Sequence, residues 1–312
     1  MRRLHALFTE STGAPRTLRS MEQSPSVDRL GLNIPHEWWP AAPILKQIEA
    51  AGFGWVQVPS PPHSVLASPR AAAGHARGLA DALDTSSLRR VLHAPSGTRA
   101  GAAEGDRAME GLLSYAAESG CDLVVYHAAN FPDQPASEDA LLAETRSLSA
   151  LAPRAQALGV TLALENLAPV FPGPDALSFT PLVLRTMANR IGSPAIGLCL
   201  DVGHAALVAS LRHADPRELI EPVLDHVVLF HLHDNLGARR GGERPPELDP
   251  LRLDLHLPPG RGEIDWRRLA PLLARPREAP LLLEVHPPRP APAALHQAAT
   301  EALFGSPQPV AA

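Results

Sequence analysis

Eight short apolar runs, spread along the chain between helix-like stretches, constrain the fold more than any other feature of the sequence. They occupy residues 30–35, 54–60, 90–95, 122–129, 160–167, 195–205, 226–235 and 280–288. Each is strand-like in length and composition. Between them lie helical patterns such as 41–52, 105–120 and 137–159, and the last two stop at a glycine. Glycine suits that position because it adopts the left-handed backbone that ends a helix. Eight βα units in 312 residues, with no break in composition, predict an α/β protein with a single (β/α)8 TIM barrel. A doubly wound sheet fits less well, since no Gly-rich phosphate fingerprint follows the first run. The barrel is expected over 29–305. Residues 1–28, rich in Ser, Thr, Pro and Arg, are expected to be a poorly ordered extension in which Met21 offers an alternative start, and 306–312 a tail.

The apolar runs finish in ionisable side chains. His93 ends the third, His127 the fourth and Glu165 the fifth; Asp201 ends the sixth, with His204 one turn later. His231 and His233 lie on the seventh and Glu284 ends the eighth. In a parallel barrel these ends converge on one rim, where barrel enzymes place their chemistry. Carboxylates after VTLAL and PLLL would be costly to bury unless paired or metal-bound. Carboxylate oxygens and imidazole nitrogens without thiolates make up a divalent-metal donor set. A single strand-end histidine is more often structural, but six strand ends each carrying such a group are hard to explain that way. Side chains alternate along a strand, so His231 and His233 share a face and Asp234 points the other way. His63, His75, His213, His226, His286 and His296 are read as background.

Composition narrows the chemistry. The formal net charge is −5, and no dense basic run lies outside the first residues, which argues against nucleic acid as a partner. Lys46 is the only lysine and sits in a helical pattern, so Schiff-base mechanisms lack their amine. Cys121 and Cys199 lie within apolar runs and read as buried free thiols. No run is long enough to cross a bilayer, and the start of the chain lacks the apolar core of a signal peptide. A cytoplasmic protein acting on a small molecule, without a membrane partner, is expected; a homo-oligomer is left open. The longest connection, 236–262, is rich in Gly, Pro and Arg, carries the basic segment 238–244 read as a solvated loop, and leads into a helix at 264–275. Near its end, Asp254 and His256 precede a stiff Pro-Pro-Gly turn, close to the barrel mouth, with Glu263 suited to the first helical turn. The loop 168–180 carries no readable specificity code.

The motifs VLHAP, VVYHAA, LALENL, LCLDVGHA, LFHLHDN, HLPPGRGEIDW and LLLEV, in this order over residues 29–288, resemble the xylose isomerase-like TIM barrels. That superfamily holds the sugar phosphate isomerases and epimerases and the endonuclease IV group. The epimerase resemblance implies one Mn, Mg, Co or Zn ion held by Glu165, Asp201, His231 and Glu284, with the two glutamates also acting as an acid/base pair. It implies His204 as a substrate contact, with His256 or a neighbour standing where many epimerases use an arginine. His233, Asn166 and Arg261 complete the expected substrate contacts. The endonuclease IV resemblance implies three zinc ions, with His93, His127, His204, Asp254 and His256 as further ligands. Two chemistries are therefore expected: an isomerase, epimerase or enolising lyase on a polyhydroxy carbonyl compound, or a trinuclear zinc phosphodiester hydrolase. A non-enzymatic barrel reused as a partner subunit is a third reading. Hydride-shift isomerisation fits less well, because those relatives lean on a site lysine.

Overall fold

The computed structural model describes residues 25–35, 39, 42–131, 137–170, 176–238, 252–286 and 289–305. The strands are β1 (Leu30–Asn33), β2 (Trp55–Pro59), β3 (Arg89–His93), β4 (Leu123–His127), β5 (Thr161–Glu165), β6 (Ile196–Asp201), β7 (Val227–Leu232) and β8 (Leu281–Leu283). Each pairs in parallel with the next, and β1 closes on β8 through Gly31 opposite Leu282. The result is a closed (β/α)8 barrel. The helices are α1 (Ala42–Ala50), α2 (His63–Leu66), α3 (Pro69–Leu83), α4 (Ala103–Ser119), α5 (Glu138–Ala157), α6 (Pro181–Ile191), α7 (Val202–Leu211), α8 (Pro216–Ile220), α9 (Trp266–Leu273) and α10 (Pro292–Phe304).

Helix ends follow local chemistry. Ser137 accepts the Ala140 N–H at the start of α5, and α4 stops at Gly120, whose φ is 73°. The helix expected from Ile264 begins instead at Trp266, capped by Asp265. The reason is that the N–H groups of Glu263 and Ile264 are drawn back to Asn235 O and Asp234 Oδ1. Residues 1–24, the basic segment from 239 onward and the tail 306–312 lie outside the described residues. Residues 27–29 form a short 3-10 turn, and the buried Arg29 donates to Ala279 O across the barrel floor.

Two apolar shells carry the barrel. The outer one packs helices on the sheet and includes Leu32, Val58, Leu92, Tyr126, Leu164, Leu200, Phe230 and Leu283. The inner one fills the barrel with Trp55, Val91, Val125, Ala163, Cys199, Leu229 and Leu282. Strand alternation places the site from this inner layer. Two residues after Val91, Val125, Ala163, Cys199, Leu229 and Leu282 come His93, His127, Glu165, Asp201, His231 and Glu284. All six therefore share the inward parity, one layer nearer the C-terminal rim.

Candidate metal centre

Ten side chains gather at that rim in three neighbouring sets of carboxylate and imidazole donors. Within each set, one donor atom per residue lies within 4.8 Å of every other. His93, His127 and Glu165 form the first: Glu165 Oε2 is 3.4 Å from His93 Nε2 and 3.2 Å from His127 Nε2. Glu165, Asp201, His231 and Glu284 form the second, with His231 Nδ1 at 2.9 Å from Glu165 Oε1, 3.2 Å from Glu284 Oε2 and 3.8 Å from Asp201 Oδ2. His204, His233, Asp254 and His256 form the third, where Asp254 Oδ2 is 2.8 Å from His256 Nε2 and 3.4 Å from His204 Nε2. Carboxylates link the sets. Glu165 directs one oxygen to each of the first two, and Asp201 Oδ1 lies 3.1 Å from His233 Nε2.

The outer nitrogens of the histidines say what the inner ones are for. His93 Nδ1 bonds Ala94 O, His204 Nδ1 bonds Asn166 O, His256 Nδ1 bonds Glu284 O and His231 Nε2 bonds Gln57 Oε1, at 2.7–2.8 Å. Carbonyl and amide oxygens only accept, so each of these nitrogens carries the proton. In the neutral ring the opposite nitrogen then presents a lone pair, and in all four cases it faces a donor set. Metal-binding histidines are oriented in this way. Glu165 Oε2, Asp201 Oδ2, His204 Nε2, Asp254 Oδ1 and both ring nitrogens of His233 are buried without a hydrogen-bond partner. Orphaned buried polar atoms are costly, and here they converge on the same three seats. The residues present thus fit divalent ions, with oxygen and nitrogen donors that suit zinc and its neighbours.

The electrostatics agree. Burial opposes charge on His93, His204, His231 and His256, yet their neighbours lift all four above the ordinary imidazole value: Glu165 for His93, Asp201 and Asp254 for His204, Asp254 for His256, and Cys199, Glu284 and Glu165 for His231. Burial also pushes the carboxyls of Glu165, Asp254 and Glu284 upward. The histidines outweigh it and hold them well below the carboxylate range, His231 leading for both glutamates and His204 for Asp254. Such a field attracts cations, whether protons or metals.

Surrounding residues hold the third set in place. Asp234, fully buried and facing away from the donors, accepts from the N–H groups of Asn235, Gly260 and Ile264 and from Trp266 Nε1. Its backbone pairs antiparallel with Leu257. That bridge carries Asp254 and His256 to the rim, with His256 at φ 49°, a strained conformation for a residue with a side chain. Gly203 leaves room for His233: a Cβ there would lie 2.2 Å from the imidazole Cε1. Asn166 is 1% exposed, and its amide bonds Asp201 N and O at 2.9 Å. It clips Asp201 from behind, so its placement corrects the expected substrate contact. Arg261 is exposed in the turn before α9, and no contact of its side chain with the donors is described.

A cleft of about 490 Å³ opens beside the centre, lined by Asn33, Gln57, Ser60, His93, Arg252, Glu284 and His286 among others. A larger cavity, about 720 Å³, opens at the opposite end of the barrel near Trp55, Asp122 and Thr161 and holds none of the ten donors. In parallel barrels the chemistry belongs to the C-terminal rim, so the smaller cleft is the relevant one. Sequence reasoning passed over Gln57, Ser60 and Arg252 and read His286 as background. The one available signal was Gln57, an amide inside the apolar run WVQV at the inward parity. His286 stacks on His256 at 3.8 Å between ring centroids, and burial followed by the charge of His256 lowers its pKa to about 4.

The closed parallel barrel, with a cluster of metal-type donors at its C-terminal rim, places the chain among the (β/α)8 TIM barrels. Within that class, residues 45–303 match the family model described as xylose isomerase-like TIM barrel, and the chain belongs to that family. Solved structures share its architecture. A D-tagatose 3-epimerase-like protein is 21% identical with a TM-score of 0.63, over 87% of this chain and 95% of its own. A D-psicose 3-epimerase solved in the presence of D-fructose is 15% identical with a TM-score of 0.61, over 89% and 99%. The IOLI protein, solved with a bound zinc atom, is 17% identical with a TM-score of 0.62, over 88% and 95%. At these identities the likeness is one of fold. No curated protein matches the sequence.

Proposed function

We propose that the chain is a divalent-metal-dependent isomerase, epimerase or related enolising lyase acting on a small polyhydroxy carbonyl substrate. The observation that carries this reading is the convergence of Glu165, Asp201, His231 and Glu284 on one seat whose Glu284 edge opens into the cleft. A divalent ion bound there (Mn, Zn, Co or Mg) would supply a Lewis acid that polarises a substrate carbonyl and acidifies the adjacent hydrogen. Glu284, held ionised by His231, is the carboxylate on the cleft wall that takes that proton and returns it. Glu165 differs from it. Its side chain is 1% exposed against 13% for Glu284, and its oxygens are turned to His231, His93 and His127. Among the described residues Glu284 is the one carboxylate on the cleft wall, which suits proton transfer on a single face, as in isomerisation or elimination. Inversion at carbon needs a second base on the opposite face, so epimerisation is the least supported of the three.

Hydrogen exchange tests this. In deuterated water, the metal-loaded protein is expected to exchange the α-hydrogen of a ketose or ketose phosphate. Glu284→Gln should slow it at least about 100-fold when rates are expressed per bound ion in reloaded protein. Exchange that survives in Glu284→Gln removes Glu284 from the chemistry.

A second reading, phosphodiester hydrolysis, is favoured by one observation: Glu165 and Asp201 link three donor sets instead of serving one. Shared carboxylates suit a multinuclear centre, which can activate water and steady both attacking and leaving oxygens. Zinc-loaded protein would then cleave abasic-site DNA or a small phosphodiester, and absence of cleavage removes this branch.

A further inference from the structure

The larger cavity, about 720 Å³, lies under the barrel floor. Leu123 and Thr161 line it, two residues before Val125 and Ala163, so the inner apolar layer separates it from the donors. Its wall is largely apolar, with Leu123, Leu224, Val227, Val228 and Pro280 beside Trp55. Trp55 is 5% exposed, and its Nε1, the one polar atom of the side chain, is buried with no hydrogen-bond partner. An indole N–H only donates, and an orphaned buried donor is costly. The Arg89 guanidinium covers the ring at 4.0 Å from its centroid and holds it in place. Asp122, Asp225 and Glu278 stand on the same wall, all exposed. Among the described residues, none of the three makes an ion pair or a hydrogen bond through its side chain. Arg29 lies behind the wall, its Nε bound to Ala279 O, and offsets part of the Glu278 charge. Arg275 is paired with Glu221 at 2.9 Å, and Arg277 is partnered as well. The charge left unanswered at the mouth is therefore that of Asp122 and Asp225, which outweigh Arg89.

We infer that the floor cavity is a second binding site, separate from the rim, for a small organic cation: an ammonium on a short apolar body that also carries a carbonyl or hydroxyl oxygen. Asp122 and Asp225 receive the ammonium at the mouth. The body packs on Leu123, Val227, Val228 and Pro280, and the oxygen accepts the Trp55 N–H. Exposed carboxylates alone hold a cation weakly, because water screens them. Burial of the apolar body adds affinity, and the indole donor adds discrimination, since a ligand without an acceptor leaves it unpaired. An anion meets repulsion from the same carboxylates. A volume of about 720 Å³ lies within the usual range of small-molecule sites. Barrel enzymes place their chemistry at the other rim, so this site binds without reacting. No rim residue enters the inference, which stands apart from the proposed function.

Calorimetric titration of zinc-loaded protein with matched probes tests it. Leucinamide is the cation, N-acetylleucinamide its neutral counterpart, N-acetylleucine the anion, and isoamylamine the cation without an oxygen. Leucinamide is expected to bind about tenfold or more tightly than the neutral and anionic probes, and several-fold more tightly than isoamylamine. Asp122→Asn combined with Asp225→Asn, both at the surface, should bring leucinamide down to the neutral probe. Trp55→Phe should erase its advantage over isoamylamine. Because that change touches the core, the wild type gives a second readout: one indole N–H resonance should move with leucinamide and stay in place with isoamylamine. His231→Ala should leave the cation preference unchanged, which separates the floor from the carboxylates of the rim. Equal affinity for the four probes, a preference that survives the paired aspartate substitutions or disappears in His231→Ala, no responding indole resonance, or no binding of any probe overturns the inference.

Discussion

At the scale of single residues, the centre depends on side chains that never reach the seats. Gln57 fixes which nitrogen of His231 carries the proton, and so presents Nδ1 to Glu165, Glu284 and Asp201. Removing such a partner typically weakens metal binding about 10–100-fold. Gln57→Leu keeps the side-chain volume, so the fold should persist while affinity in a chelator competition drops by that factor; unchanged affinity would show that the His231 bond is incidental. Gln57 was hard to find from sequence because an amide inside an apolar strand carries no charge signal. His286 shows the complementary difficulty. It and His226 look alike in the sequence, yet one stacks on His256 and the other bonds Asn189 on the barrel exterior. Only tertiary structure separates them. His93, His127, Glu165, Asp201, His231 and Glu284 were legible because each interrupts an apolar alternation where burial demands a reason.

At the scale of elements, the strands were legible and their supports less so. Period two and eight repeats specify the barrel, whereas the antiparallel bridge of Asp234 to Leu257, which carries Asp254 and His256, follows no periodic pattern. The start of α9 shifts for the same reason, since Asp234 draws in the N–H of Ile264. The β4 end is supported from α5. Glu144 is 1% exposed and accepts from Tyr126 Oη at 2.8 Å and from Ala129 N at 3.1 Å, two residues beyond His127. Burial lifts its carboxyl to about 7, against the pull of those two bonds. A carboxyl whose pKa is raised on folding favours the folded state in its protonated form. Its contribution is full below about pH 4.5 and is lost as pH rises through about 7. The loss is on the order of 3 kcal/mol. Denaturant unfolding of wild type and Glu144→Gln across this window should show the wild type losing stability relative to the variant as pH rises. A difference that stays constant with pH would mean Glu144 is ionised throughout.

At the scale of the molecule, a rigid apolar barrel holds mutually repelling carboxylates close together at one rim. Four of them, Glu165, Asp201, Asp254 and Glu284, share the ten-residue cluster with His93, His127, His204, His231, His233 and His256. Protons on the histidines can balance that charge, but divalent ions do so while also filling the lone pairs that Ala94, Asn166, Gln57 and Glu284 oxygens leave facing inward. The central claim is that Glu165, Asp201, His231 and Glu284 hold a divalent ion at the rim. Elemental analysis of protein purified without chelator and reloaded with zinc tests it most directly. At least one ion per chain is expected, and one fewer in His231→Ala, which removes a donor from that seat. No ion in the wild type, or a count indifferent to His231→Ala, would contradict it, whereas about three ions would favour the phosphodiester reading.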